Sequence, residues 1–156
     1  MTFITVVALV GAGLITGLLF AFSNFVLSAL ADLSNENGMF AMQRVNEKII
    51  NPIFLLLFLG TPILCVIIAI GCAINLDAPA HWLLLGGSMG YLIGPFGITI
   101  LFNVPLNNRL AKTKISDADE VWPDYQIRWQ RWNHARTYIG VLSVLLLAAG
   151  LGSLDV

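Results

Sequence analysis

Four stretches of this chain, residues 1–31, 49–76, 78–108 and 137–154, contain no Asp, Glu, Lys or Arg. All 17 charged residues of the 156-residue sequence fall in the 48 positions that remain. Each stretch reaches the roughly 18 apolar residues that read as a membrane-spanning helix. Inside hydrocarbon a backbone must satisfy its own polar groups, which a helix does within one segment. The pattern excludes a soluble enzyme, a nucleic-acid-binding domain and a disordered chain. Composition agrees: 11% of residues are charged, against about 25% in soluble domains. A net charge of −1 gives no bulk attraction to nucleic acid. The expected architecture is all-α: one four-transmembrane-helix bundle over residues 1–156, with a helical extension before helix four. Its spans are expected at about 2–30, 52–76, 81–104 and 134–154.

The first stretch has an alternative reading as a secretory signal, because Ala29-Leu30-Ala31 resembles a small-residue cleavage site. No Lys or Arg precedes the apolar run, however, and the run exceeds the roughly 7–15 residues of a signal core. It is therefore retained as helix one. Orientation follows from the cations. The loop at 32–51 carries Arg44 and Lys48, and the loop at 105–136 carries Arg109, Lys112, Lys114, Arg128, Arg131 and Arg136. The opposite side, with both termini and a turn around Asp77-Ala78-Pro79, carries none. This eight-to-zero split is expected to place both loops in the cytoplasm and both termini outside. In a bacterium the membrane is then the inner one.

Within the spans, Gly13-x-x-x-Gly17 and the stripe Gly86, Gly90, Gly94 are spaced for close helix approach. Gly94-Pro95 is expected to kink helix three, since proline removes a backbone bond. Asn51-Pro52 reads as the start of helix two, and Met39–Ile50 before it as a polar helical stretch.

The second loop contains the most informative segment, Trp122 to Arg136. At about 100° per residue, Trp122, Tyr125, Trp132, Asn133 and Arg136 all lie within about 60° of Trp129 on a helix. This gives an aromatic face carrying one amide and one guanidinium. Two readings stay open. Aromatics and arginines gather at the headgroup level as an interfacial belt. Alternatively, Asn133 and Arg136 on that face are buried and need polar partners, which makes a pocket. The other span-end polar residues are mostly amides: Asn24, Asn46, Asn51, Asn103, Asn107, Asn108 and Asn133. Singly, each reads as a cap or an inter-helix bond. Collected at one membrane level from all four helices, they point to a polar cavity at the cytoplasmic mouth.

Metal and redox signals are weak. His81 and His134, the two histidines, fall on opposite sides in this topology. Cys65 and Cys72 are seven positions apart, about 10.5 Å along a helix, beyond the roughly 7 Å that a disulfide allows. No acidic residue lies inside a span, so the usual ion relays of transporters are absent.

The same residues carry a family resemblance over almost the whole chain. They are Gly17-Leu-Leu-Phe-Ala-Phe-Ser23 with Ala29-Leu30, Ala41-Met-Gln-Arg-Val-Asn46, Asn51-Pro52-x-Phe54, Gly97-Ile-Thr-Ile-Leu-Phe-Asn-Val-Pro-Leu-Asn107 with Leu110-Ala111, and Trp122-x-x-Tyr125 with Trp129-x-x-Trp132-Asn133-x-x-Arg136-Thr137. The chain resembles the anthrone oxygenase-like family of small four-helix membrane proteins. The resemblance implies an oxygenase that turns a lipophilic aromatic compound into a quinone with neither metal nor flavin, so no cofactor is expected. Deprotonation of an anthrone gives an electron-rich carbanion that reacts with O₂ directly. Such a site needs donors for an oxyanion, an aromatic slot and a base. The catalytic candidates are Asn133, Arg136 and His134. Asn46, Asn103, Asn107, Trp122, Tyr125, Trp129 and Trp132 are the candidate substrate contacts, and no metal ligand is expected. The base is the open position: His134 and Asp124 each lie about 140° from the aromatic face on the helix projection. The competing reading is a non-catalytic membrane protein that binds a planar aromatic or a lipid, or serves as an assembly subunit. A transporter or channel formed by a homo-oligomer is a third. The expected partners are the lipid bilayer and such a ligand, not nucleic acid.

Overall fold

A computed structural model describes residues 1–74, 76 and 78–154. The expected turn at Asp77 and the end of the chain at Asp155–Val156 lie outside the described residues. Among the described residues five helices carry the fold: α1 over Thr2–Ala31, α2 over Asn35–Lys48, α3 over Pro52–Ala73, α4 over Pro79–Lys112 and α5 over Ala118–Gly152. A 3₁₀ turn at Ile115–Asp117 leads into α5. Among the described residues there is no strand. Four of the helices, α1, α3, α4 and α5, are long and apolar enough to cross a membrane. The protein is an all-α, four-span membrane protein, and α2 is an extra helix in the first loop.

Local chemistry explains where these helices begin. Ser34 Oγ accepts from the Asn37 backbone N–H at 3.4 Å and caps α2. Asn51 Oδ1 accepts from the Phe54 N–H at 3.0 Å, with Pro52 in the first turn of α3. Pro79 likewise sits in the first turn of α4, there with no side-chain cap.

One boundary differs from expectation. Helix three continues past residue 104, through Pro105, to Lys112. Over Leu92–Asn103 its turns widen to the π pattern, with Pro95 inside. Wide turns accommodate a ring that would clash with an ordinary helical carbonyl. Tight α turns resume at Val104, so Pro105 sits in an opening turn that needs no donor. Helix four is the second half of α5, a single 35-residue helix that includes the expected extension.

The small-residue contacts are also redistributed. Added Cβ atoms at Gly13 and Gly17 meet nothing within 4 Å, so that pair does not mediate a helix contact. Gly11 does: its Cβ would fall on Thr61 Oγ1 of α3. Between α4 and α5 the tight positions are Gly87 and Gly150. A Cβ at Gly87 would meet Leu147 at 2.8 Å and the Ser143 carbonyl at 3.0 Å. One at Gly150 would meet Leu84 at 2.8 Å. Of the expected stripe, Gly94 is closed by Ile139, whereas Gly90 has ordinary room, 3.4 Å from Ser143. Ser143 Oγ donates to the Gly87 carbonyl at 2.6 Å across the same seam.

Two cores result. Ala8, Ala12, Ile15, Cys65, Ile68, Leu84, Tyr91 and Leu147 fill the bundle interior. Met39, Met42, Leu110, Trp122, Tyr125 and Trp129 form a second core at the basic-loop end, where α2 packs on α5. The outer faces of the spans present large apolar side chains such as Phe3, Ile53, Leu56 and Ile70, as a bilayer requires.

Candidate functional site

A cavity of about 620 Å³ lies between the two cores, at the basic-loop end. That volume is within the roughly 300–1,000 Å³ of small-molecule sites. Its walls are mainly apolar. α1 contributes Leu18, Leu19 and Phe22, α2 contributes Met42 and Val45, and α3 contributes Phe54 and Phe58. Phe54 stacks on Phe58 at 5.4 Å between centroids, and Phe58 meets Phe96 at the same distance. The polar lining is Gln43, Arg44, Asn46 and Glu47 from α2, Thr99, Asn107 and Asn108 from α4, and Trp129 and Arg136 from α5.

Arg136 is the central group. It is 5% exposed, yet among the described residues no carboxylate pairs with it. The ion pairs there are Arg44–Glu47, Lys48–Glu47 and Arg128–Asp124, all on exposed surface. Neutral partners hold it instead. Nε and Nη2 donate to Asn133 Oδ1 at 3.0 and 2.7 Å, and Nη1 donates to Thr99 Oγ1 at 2.7 Å. Its Cζ lies 5.1 Å from the centre of the Trp129 ring, within the range of a cation–π contact. A guanidinium has five N–H groups. Three are used here, so one on each terminal nitrogen is left on a residue that lines the cavity.

Asn133 is fully buried and uses all its hydrogen-bonding capacity to hold this arrangement. Its Nδ2 donates to the Leu19 carbonyl at 3.0 Å and to Ser23 Oγ at 2.7 Å, while Oδ1 faces the arginine. Ser23 is itself 3.0 Å from Thr137 Oγ1, which donates to the Asn133 carbonyl. Asn133 thus ties α1 to α5 and fixes the guanidinium.

A second polar knot borders the first. Asn107 Oδ1 accepts from Tyr125 OH at 2.9 Å and from Trp129 Nε1 at 2.8 Å. Asn46 Nδ2 reaches the same tyrosine oxygen at 3.5 Å. Asn103 Nδ2 donates to the Trp129 carbonyl at 3.2 Å. α2 roofs the cavity, and Gln43 Nε2 pins it by donating to the Leu110 and Thr113 carbonyls at the end of α4.

The structure therefore brings Asn46, Asn107, Trp129 and Arg136 to the cavity wall. Asn133, Tyr125 and Asn103 stand directly behind it. Three other candidates lie elsewhere. Trp122 is fully buried in the second core, against Gly38 and stacked on Tyr125. Trp132 stacks on Phe102 with centroids 3.7 Å apart. His134 stacks on Tyr138, an exposed residue, and does not line the cavity. Thr99 and Gln43 are cavity residues that sequence reasoning passed over. Thr99 is one hydroxyl in a charge-free span, marked only by its place one turn after Pro95 and within the Gly97–Asn107 run that carries the family resemblance. Among the described residues no three His, Cys, Asp or Glu side chains gather where a metal could be held. An apolar, aromatic-walled cavity with one unneutralised cationic donor is suited to binding a flat lipophilic molecule by an oxygen that carries negative charge.

No curated protein and no solved structure matches the chain. Residues 54–146, which supply most of the cavity's α4 and α5 walls, match the family model described as anthrone oxygenase. That match covers more than half of the sequence, and the chain belongs to the anthrone oxygenase family.

Proposed function

We propose that the protein is a cofactor-independent oxygenase that converts a lipophilic, anthrone-like aromatic to its quinone in this cavity. We place the cavity at the cytoplasmic face of the membrane, which in a bacterium is the inner one, on the strength of the eight-to-zero cation split. The observation that carries the chemistry is the buried Arg136. A charge held without a counter-anion is costly, and an oxyanion at its two spare N–H groups removes that cost. The ligand that fits best becomes more anionic as it reacts, which is the condition for differential transition-state binding.

The reaction balances without an added reductant. An anthrone and O₂ give an anthraquinone and water. The ring CH₂ loses a proton, and the charge delocalises onto the ring oxygen, where Arg136 holds it. The carbanion passes electrons to O₂ and a C–O bond forms, and the resulting peroxide anion takes back a proton to give a hydroperoxide. Loss of water breaks the O–O bond and leaves the new carbonyl. Trp129, Phe22, Phe54 and Phe58 supply the apolar walls that exclude water around this anion. The first proton leaves toward the cavity mouth, where Glu47 is the one carboxylate in the lining.

The test is oxygen uptake and quinone absorbance on adding an anthrone to protein reconstituted in vesicles. One O₂ consumed per quinone formed, faster than with protein-free vesicles, is the expected result. Tight binding of the anthrone with no acceleration would replace this reading with that of a binding protein.

A further inference from the structure

The rim of the cavity has two chemically different halves. Ile50 just before α3, Leu55 in the first turn of α3, and Val104 from α4 are lining residues that are also exposed on the outer surface, at 66%, 38% and 38%. Leu55 lies near the start of the second candidate span and Val104 inside the third, while Ile50 just precedes the second, so this half of the rim is apolar where the second span begins. The other half is Arg44 and Glu47 of α2, also exposed lining residues, which lie outside the four candidate spans. Arg44 and Glu47 are ion-paired to each other there. The opening is thus framed by α3 and α4 laterally and by α2 above. It faces neither pure water nor the middle of the bilayer.

We infer that the cavity loads sideways from the membrane leaflet, through a portal between α3 and α4, and takes weakly acidic aromatics that already lie at the headgroup boundary. This rests on the cavity being the ligand site proposed above. Three features converge on it. A flat phenolic compound partitions with its rings in the acyl region and its oxygens at the interface, which matches the rim. α2 is held over the cavity by Gln43 at both the Leu110 and Thr113 carbonyls, so the roof is pinned while the lateral gap is not bridged by any hydrogen bond among the described residues between Leu55 and Val104. The apolar wall is continuous from the rim inward: Leu55 leads to Phe54 and Phe58, and the Arg136–Thr99 pair lies on the same lining as those rings. A molecule entering this way crosses no charged group before reaching the guanidinium.

The experiment uses the full chain in phosphatidylcholine vesicles, with 1,8-dihydroxyanthraquinone as probe and tryptophan quenching as signal, since Trp129 lines the cavity. Leu55→Trp and Val104→Trp each narrow the lateral half of the rim, and Arg44→Trp narrows the charged half. Stopped-flow association is expected to slow about tenfold with either lateral variant, with dissociation slowed in proportion and Kd little changed, since a gate alters rates and not affinity. The Arg44→Trp variant should slow it less than either. Slowing by Arg44→Trp with lateral variants at the unmodified rate would overturn the portal and put entry on the aqueous side. Loss of affinity without loss of rate in the lateral variants would also overturn it, making those residues part of the binding surface. Should the unmodified protein fail to bind the probe, the cavity reading itself falls, and the portal with it.

Discussion

At the residue scale, the site is a set of amides that each complete another group's hydrogen bonding. Asn107 shows the logic. Its one carbonyl oxygen serves both the Tyr125 hydroxyl and the Trp129 indole. Replacing it with leucine orphans two buried donors, at about 1–3 kcal/mol each, so Asn107→Leu is expected to lower the detergent melting temperature by several degrees. Asn107→Asp keeps an acceptor oxygen and should recover most of the loss. Equal melting of the two variants would show that the shared oxygen is not what matters. The helix projection from sequence puts Trp129, Asn133 and Arg136 on one face, because 3.6-residue periodicity is a property of the backbone alone. It gave no way to separate Trp122 and Trp132 from Trp129. All three share a face of α5, but the neighbours across that face differ: Gly38 of α2 for Trp122, Phe102 of α4 for Trp132, and open cavity for Trp129. Such neighbours are set by tertiary packing, which one helix's sequence does not encode.

At the element scale, the charge-free stretches located all four spans, since hydrocarbon tolerates little else. The helix contacts were less legible. A small-xxx-small spacing records where close approach is allowed, not where a partner stands. Gly13 and Gly17 satisfy the spacing and meet nothing, whereas Gly87, outside the expected stripe, is the position where α4 and α5 approach most closely to the backbone. Gly87→Ala is therefore expected to cost about 1–3 kcal/mol by overpacking against Leu147 and Ser143. Gly13→Ala should be neutral or stabilising by up to about 1 kcal/mol, from helix propensity alone. Parallel thermal melts in one detergent check both, and a larger loss at Gly13 would contradict the packing described. The widened turns at Leu92–Asn103 were legible only as a break at Gly94-Pro95. Their consequence, Thr99 placed against the guanidinium of Arg136, follows from backbone geometry that no local motif announces.

At the scale of the whole molecule, every Lys and Arg lies at one end of the bundle, and the cavity opens at that same end. A C-terminal alkaline phosphatase fusion is expected to be active, and a C-terminal fluorescent protein that folds only in the cytoplasm dark. The opposite pattern would invert the molecule and turn the cavity outward. In either orientation, the function rests on one claim: the Arg136 guanidinium, held by Asn133 and Thr99 and without a carboxylate, receives the oxygen on which charge develops. The most direct measurement compares kcat/KM for anthrone oxidation in the unmodified protein, Arg136→Gln and Arg128→Ala, each confirmed as folded by circular dichroism. Loss of one such donor typically costs about 10²–10³-fold, and that loss is expected for Arg136→Gln. Arg128, paired with Asp124 on the surface at 2.9 Å, should be dispensable to within about threefold, as exposed ion pairs contribute little. Equal activity in the Arg136→Gln and unmodified proteins would contradict the claim.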